Sequence, residues 1–148
     1  MCYNTRMKGK RLTDEQRQEI ISLMQSRGAI VGYLFGSYAR GTAGPLSDID
    51  VGVAFPETIP KNTQDTLIEE IRTGLERKFG GRDKADVLNV PELKNPLLRY
   101  IVTLGEGQIL FSDDQSLHNR LANYALREYE DTRSLRSIQS KALEHLFA

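Results

Sequence analysis

The sequence predicts one α/β (α+β) domain: a short mixed β-sheet flanked by helices, with a C-terminal helical tail. Three observations predict it. Apolar stripes of helical period alternate with short apolar or alternating runs of strand length. Glycine, proline and capping residues punctuate the boundaries between them. The 148 residues, 39% hydrophobic and 27% charged, fit one ordinary core, and no repeat, low-complexity stretch or linker divides the chain. The expected organisation is a leader over 1–12, a core over 13–112, and a helical tail over 113–148 within the same domain.

Each element has its own signal. Thr13 to Arg27 predicts a helix: Thr13 and Gln16 make a capping-box pair, Ile20, Ile21 and Met24 form the stripe, and Gly28 closes the end. Ala29 to Phe35 is an apolar run ended by Gly36, a buried strand. Ser37 to Gly41 turns into a short helix, and Thr42 to Ser47, with Gly44 and Pro45, is a loop. Asp48 to Phe55 is a second strand. Its alternation sets Ile49, Val51, Val53 and Phe55 on one face and Asp48, Asp50, Gly52 and Ala54 on the other, where small residues are expected to leave room for something bulky.

Asn62 to Phe79 is amphipathic, with Leu67, Ile68, Ile71, Leu75 and Phe79 facing inward and Gly80-Gly81 as terminator. Lys84 to Val90 is a third strand carrying Asp86 among apolar neighbours. Pro96 to Leu104 is a short helix, with Asn95 as cap, Pro96 at its first position and Gly105 past its end. Gln108 to Phe111 is a brief fourth strand, and Ser116 to Phe147 is helical with a break near Glu130 to Ser134.

Charge and cysteine usage narrow the function classes. Twenty basic residues balance twenty acidic ones, which argues against a protein that holds nucleic acid through its overall field. The single cysteine, Cys2, can form no internal disulfide, and the expected compartment is the reducing cytoplasm. No apolar run approaches the roughly 20 residues that span a bilayer, and the charged start, Met1 to Lys10, has no signal-peptide core. Its basic residues Arg6, Lys8, Lys10 and Arg11 read as a solvated, mobile segment, and Met7 is an alternative start.

The chemistry lies in Leu34-Phe35-Gly36-Ser37-Tyr38-Ala39-Arg40-Gly41 and Ser47-Asp48-Ile49-Asp50-Val51. Two carboxylates two residues apart on a strand point the same way and repel, so one tends to keep its proton unless a divalent cation joins them. Hard oxygen ligands suit Mg²⁺, which borrows further oxygens from substrate phosphates. Gly36 lets an anion approach the main chain, and Ser37 either caps a helix or adds a donor to a phosphate cradle, two roles sharing one geometry. The stretch is not a Gly-x-x-x-x-Gly-Lys-Ser/Thr phosphate loop. Asp86 is the candidate third carboxylate, able to hold a second metal and to help activate an incoming hydroxyl; its alternative is an ion pair with Lys84 or Arg82. Arg40 can contact a triphosphate or lock the loop through Asp48 or a backbone carbonyl. His118 and His145 stand without clustered partners and read as surface or core residues, and Tyr129 as an ordinary packing residue.

Gly36-Ser37 followed by Asp48-x-Asp50 resembles the signature of the DNA polymerase β-like nucleotidyltransferase superfamily, and the flanking Gly-Ser-Tyr-Ala-Arg-Gly and Ser-Asp-Ile-Asp-Val are similar to its minimal nucleotidyltransferase (MNT) branch. The resemblance covers about two-thirds of the chain. It implies a nucleotidyltransferase fold in the core, metal binding by Asp48, Asp50 and Asp86, two Mg²⁺ ions with ATP bound, and nucleotide contacts from Gly36 and Ser37, with Arg40 as a further candidate. Many members carry a basic residue where Tyr38 stands.

Chains of this size resemble the MntA-type antitoxins of HEPN/MNT toxin–antitoxin pairs. The implied activity is transfer of AMP from ATP to a tyrosine of a small all-helical HEPN RNase, with the two proteins in a hetero-oligomer and without direct nucleic-acid or membrane binding. The tail's discontinuous stripe of Leu117, Leu121, Tyr124, Leu135, Ile138 and Ala142 either serves that contact or covers the sheet. The alternatives are an antitoxin that acts by binding alone with a vestigial site, and a nucleotidyltransferase of the aminoglycoside-modifying kind, which needs an acceptor pocket.

Overall fold

The computed structural model describes residues 9–81 and 84–147, and side chains within the last helix up to Gln139 and at Lys141. The expectations for Arg6, Lys8, Cys2 and Met7 in the leader, the Arg82 partner of Asp86, and the side chains of Ala142 and His145 lie outside the described residues.

The elements follow one another as α1 (Asp14–Ser26), β1 (Val31–Phe35), α2 (Ser37–Arg40), β2 (Ile49–Ala54), α3 (Lys61–Phe79), β3 (Ala85–Asn89), a single 3₁₀ turn (Val90–Glu92), α4 (Pro96–Thr103), β4 (Gln108–Ser112), α5 (Gln115–Asp131) and α6 (Arg133–Phe147). The predicted caps are present. Thr13 and Gln16 close a reciprocal capping box on α1, Gly80 ends α3 in the left-handed conformation, and Asn95 accepts from the N–H groups of Leu97 and Leu98 ahead of Pro96. The break in the tail falls at Thr132, whose hydroxyl bonds back to the Glu128 carbonyl at 2.7 Å. No described helix is long and apolar enough to cross a membrane.

The sheet is mixed, in the order β3-β2-β1-β4. β1 runs antiparallel to both β2 and β4. β2 and β3 are parallel, as the α3 crossover between them requires. One sheet face packs against α1 and α3 through Ile20, Met24, Leu34, Ile49, Val51, Val53, Ile71 and Leu75. The other packs against α4 and α5 through Val31, Tyr33, Phe35, Ala54, Val102, Leu117 and Leu121.

Burial on both faces corrects one expectation. The small residues of β2 do not leave open space beside the acids. A Cβ at Gly52 would sit 2.7 Å from Val90 Cγ2 and 3.2 Å from Val102 Cγ1, so protein side chains fill the volume above it. Gly52 is small because α4 and the 3₁₀ turn approach the sheet closely there. The tail stripe divides likewise. Leu117 and Leu121 are buried against the sheet, whereas Tyr124, Leu135 and Ile138 are exposed.

Candidate active site

The site is built where β2 and β3 begin. Two-residue alternation puts Asp48 and Asp50 on the α4–α5 side of the sheet. The parallel register places Asp86 directly across from Asp50, and the antiparallel register places Phe35 across from Asp50 on the other flank. Strand β1 therefore ends beside Asp50, and Gly36 and Ser37 turn over it. Asp48 and Asp86 are exposed, and Asp50 is half-buried.

Electrostatics mark Asp50 as the centre of the group. Its carboxyl is pushed up from the usual 3.8 to about 6, first by burial, then by the charges of Asp86 and Asp48, with Arg40 opposing. Asp48, Asp50 and Asp86 together form an all-oxygen, negatively charged donor set. Such a set fits a hard divalent cation that completes its shell with water and phosphate. Among the described residues, no three His, Cys, Asp or Glu side chains converge into a finished metal cage.

Gly36 has a reason beyond the one the sequence suggests. Its φ of 73° and ψ of −156° lie in a region essentially reserved for glycine. A Cβ there would overlap Asp50 Oδ2. The glycine makes room for the carboxylate. α2 then starts at Ser37, ends with Gly41 at φ 78°, and buries Ala39.

Arg40 departs from both expectations of a loop-locking partner. It pairs with Glu106 at 2.8 Å, not with Asp48 or a backbone carbonyl. Both side chains are close to half exposed, so the pair is a loose tether. Asp86 forms no ion pair with Lys84 among the described residues. Sequence reasoning missed a further support. Gln108, at the start of β4, donates to the Ala39 carbonyl at 3.0 Å and accepts from Arg17 at 2.9 Å, so it pins α2 to both β4 and α1. No local signal could reveal it, because its partners lie 69 and 91 residues away in the chain.

The two remaining candidates behave as packing residues. His118 is buried and shares a 2.7 Å hydrogen bond between its Nδ1 and the Tyr33 hydroxyl. Tyr129 stacks on Tyr100 with centroids 4.0 Å apart and lies 3.8 Å below the Arg136 guanidinium.

A sequence model of the family described as polymerase beta, nucleotidyltransferase, matches residues 18–116, a span holding every candidate site residue. No curated protein matches the chain in sequence. Solved structures share its fold. One is a toxin–antitoxin with AMP-PNP: 22% identity, TM-score 0.62, covering 89% of this chain and 98% of that one. A mutant of the toxin–antitoxin MntA-HpeT matches at 22% identity and TM-score 0.66 over 93% and 100% of the two chains. The tri-AMPylated Shewanella oneidensis HEPN toxin in complex with MNT antitoxin matches at 19% identity and TM-score 0.57 over 89% and 96%.

Proposed function

Because the chain belongs to the polymerase β nucleotidyltransferase family, we propose that it is an antitoxin adenylyltransferase that moves AMP from ATP onto a tyrosine of a cognate HEPN RNase. The observation that carries this reading is the register of Asp50 against Asp86 beneath the Gly36–Ser37 turn. The protein partner is supported by the similar solved structures, which are toxin–antitoxin complexes, one with AMP-PNP and one with an AMPylated HEPN toxin. It is also supported by Leu126, Leu135 and Ile138 of the tail helices, large apolar side chains that the fold leaves exposed.

Asp48, Asp50 and Asp86 would hold Mg²⁺, which when bound neutralises the triphosphate and the leaving pyrophosphate. The chain's own residues position the reactants. Ser37 and the main chain of the turn bind the terminal phosphates, and Gly36 permits their approach. Arg40, tethered by Glu106, faces the same charge. The acceptor tyrosine oxygen attacks the α-phosphorus, the bond to the bridging oxygen breaks, and pyrophosphate departs. The phenolic proton passes to the Asp86 carboxylate.

The test is incubation with the partner, Mg²⁺ and each of the four nucleoside triphosphates, read by intact mass. The expected result is AMP additions to the partner with ATP, absent in an Asp48→Ala/Asp50→Ala variant that still binds it. Neutralisation of the RNase by that variant, without mass change, would establish inhibition by binding alone.

A further inference from the structure

We infer that a cleft at the opposite end of the sheet, outside the carboxyl ends of β2 and β3, is a second binding site that takes a small amphipathic anion, an aryl or alkyl body bearing one carboxylate. The cleft has a volume of about 650 Å³, a size suited to such a ligand. Phe55 is one of its walls and lies five residues beyond Asp50, so it stands about 16 Å from the acids along the strand. The crevice beyond the carboxyl ends of parallel strands is where open α/β sheets collect ligands.

The lining mixes apolar and charged groups. Phe55, Leu117 and Leu121 form an apolar wall, Arg99, Arg120 and Lys61 supply positive charge, and Glu57 and Glu92 supply negative charge, so the cations outnumber the acids by one. Arg120 and Lys61 pair with Glu57 at 3.9 Å and Glu92 at 3.3 Å, and all four side chains are at least half exposed. Pairs so solvated exchange partners at little cost.

Arg99 is different. It is only 7% exposed. One guanidinium nitrogen, Nη1, donates to Glu128 at 2.8 Å, while Nε is buried and has no partner. A buried unpaired donor on a cation is rare, and the Nε edge of a guanidinium has the spacing of a carboxylate. Tyr124 lines the cleft, and its ring covers the guanidinium at 4.8 Å. That tyrosine is 54% exposed, so it is free to turn away from the guanidinium.

A second orphan lies just behind the lining. Asn89 gives its amide N–H to Gln64, a cleft residue, at 2.8 Å and leaves its Oδ1 buried without a donor. Of the three buried side-chain atoms without partners among the described residues, two therefore flank this cleft.

The experiment titrates the ¹⁵N-labelled full chain with 2-naphthoate and with its neutral isostere 2-naphthamide, following the Arg Nε–H and Asn/Gln side-chain signals. Naphthoate is expected to shift the Arg99 and Gln64 signals and to bind at least tenfold more tightly than the amide. Saturating Mg²⁺-ATP should leave that binding unchanged. Arg120→Glu, at a side chain 63% exposed, should keep the wild-type Tm, weaken naphthoate severalfold and spare the amide. An Arg99→Met/Glu128→Leu pair, which leaves no lone buried charge, should abolish the preference. Equal binding of acid and amide, no saturable shift at millimolar probe, or displacement by ATP would each overturn the inference.

Discussion

The Asp50 carboxylate occupies the space that a side chain at position 36 would need, so Gly36 and Asp50 are one structural decision made at two places in the chain. Gly36→Ala should therefore damage both folding and chemistry. The backbone conformation alone costs about 1–3 kcal/mol for a non-glycine residue, and Asp50 must also move. A drop of several degrees in Tm and a fall of two orders of magnitude or more in AMP transfer are expected, measured by thermal unfolding and intact mass. Ser37→Ala, which leaves the backbone alone, should keep Tm while raising KM for ATP.

Asp50 gives the metal-free protein a pH signature. Its folded pKa of about 6 lies above the ordinary 3.8, so the fold disfavours the ionised form. The penalty is fully present above pH 6 and disappears as pH falls toward 4. Asp50→Asn should raise Tm at pH 7.5, and the difference from the wild type should vanish near pH 4. Added Mg²⁺ should stabilise the wild type at pH 7.5 more than the variant. A Tm at pH 7.5 lower in the variant would contradict this electrostatic account.

His118 works in the opposite sense. Burial lowers its pKa below the usual 6.5, so the folded protein resists charging it. Its burial carries no titration cost where both states are neutral and destabilises the fold as pH drops below 6.5, where the unfolded chain takes up the proton first. Tyr33→Phe removes the partner of its Nδ1 and should cost about 1–2 kcal/mol in denaturant unfolding at pH 7.5, with AMP transfer kept.

Arg40 and Glu106 should separate nucleotide binding from tethering. The pair is too exposed to stabilise the fold by more than about 1 kcal/mol. Arg40→Ala should raise KM for ATP severalfold with kcat little changed, whereas Glu106→Gln should leave KM near its wild-type value. An equal rise in both would make the tether, not the cation, the working part.

Asp86 is exposed, so Asp86→Asn should leave Tm nearly unchanged. The same substitution should reduce AMP transfer by two orders of magnitude or more, read as the initial rate of mass addition to the partner.

Local patterns made most of the fold legible. Thr13 with Gln16, Asn95 with Pro96, and Gly80 are signals complete within a few residues, and the elements they bound fall within two residues of expectation. Asp86 was legible as an acid on a strand of its own, but the register that sets it across from Asp50 emerges only in the folded sheet. The Arg40–Glu106 and Gln108–Ala39 contacts were not legible, since they join residues more than sixty positions apart through side chains with no periodic signature. Gly52 was misread for a related reason. Smallness signals close approach, but alternation along one strand cannot say whether a ligand or a helix does the approaching.

The α3 crossover has a consequence for how the molecule comes into being. A growing chain carries Asp48 and Asp50 for some thirty-five residues of synthesis before Asp86 appears. The third acid reaches its place only when the 19-residue helix has docked on Ile20 and Met24 and returned β3 to the edge of β2. On the proposed function, the three-acid site is thus completed late, as a property of the finished topology, and an unfinished or misdocked chain lacks it.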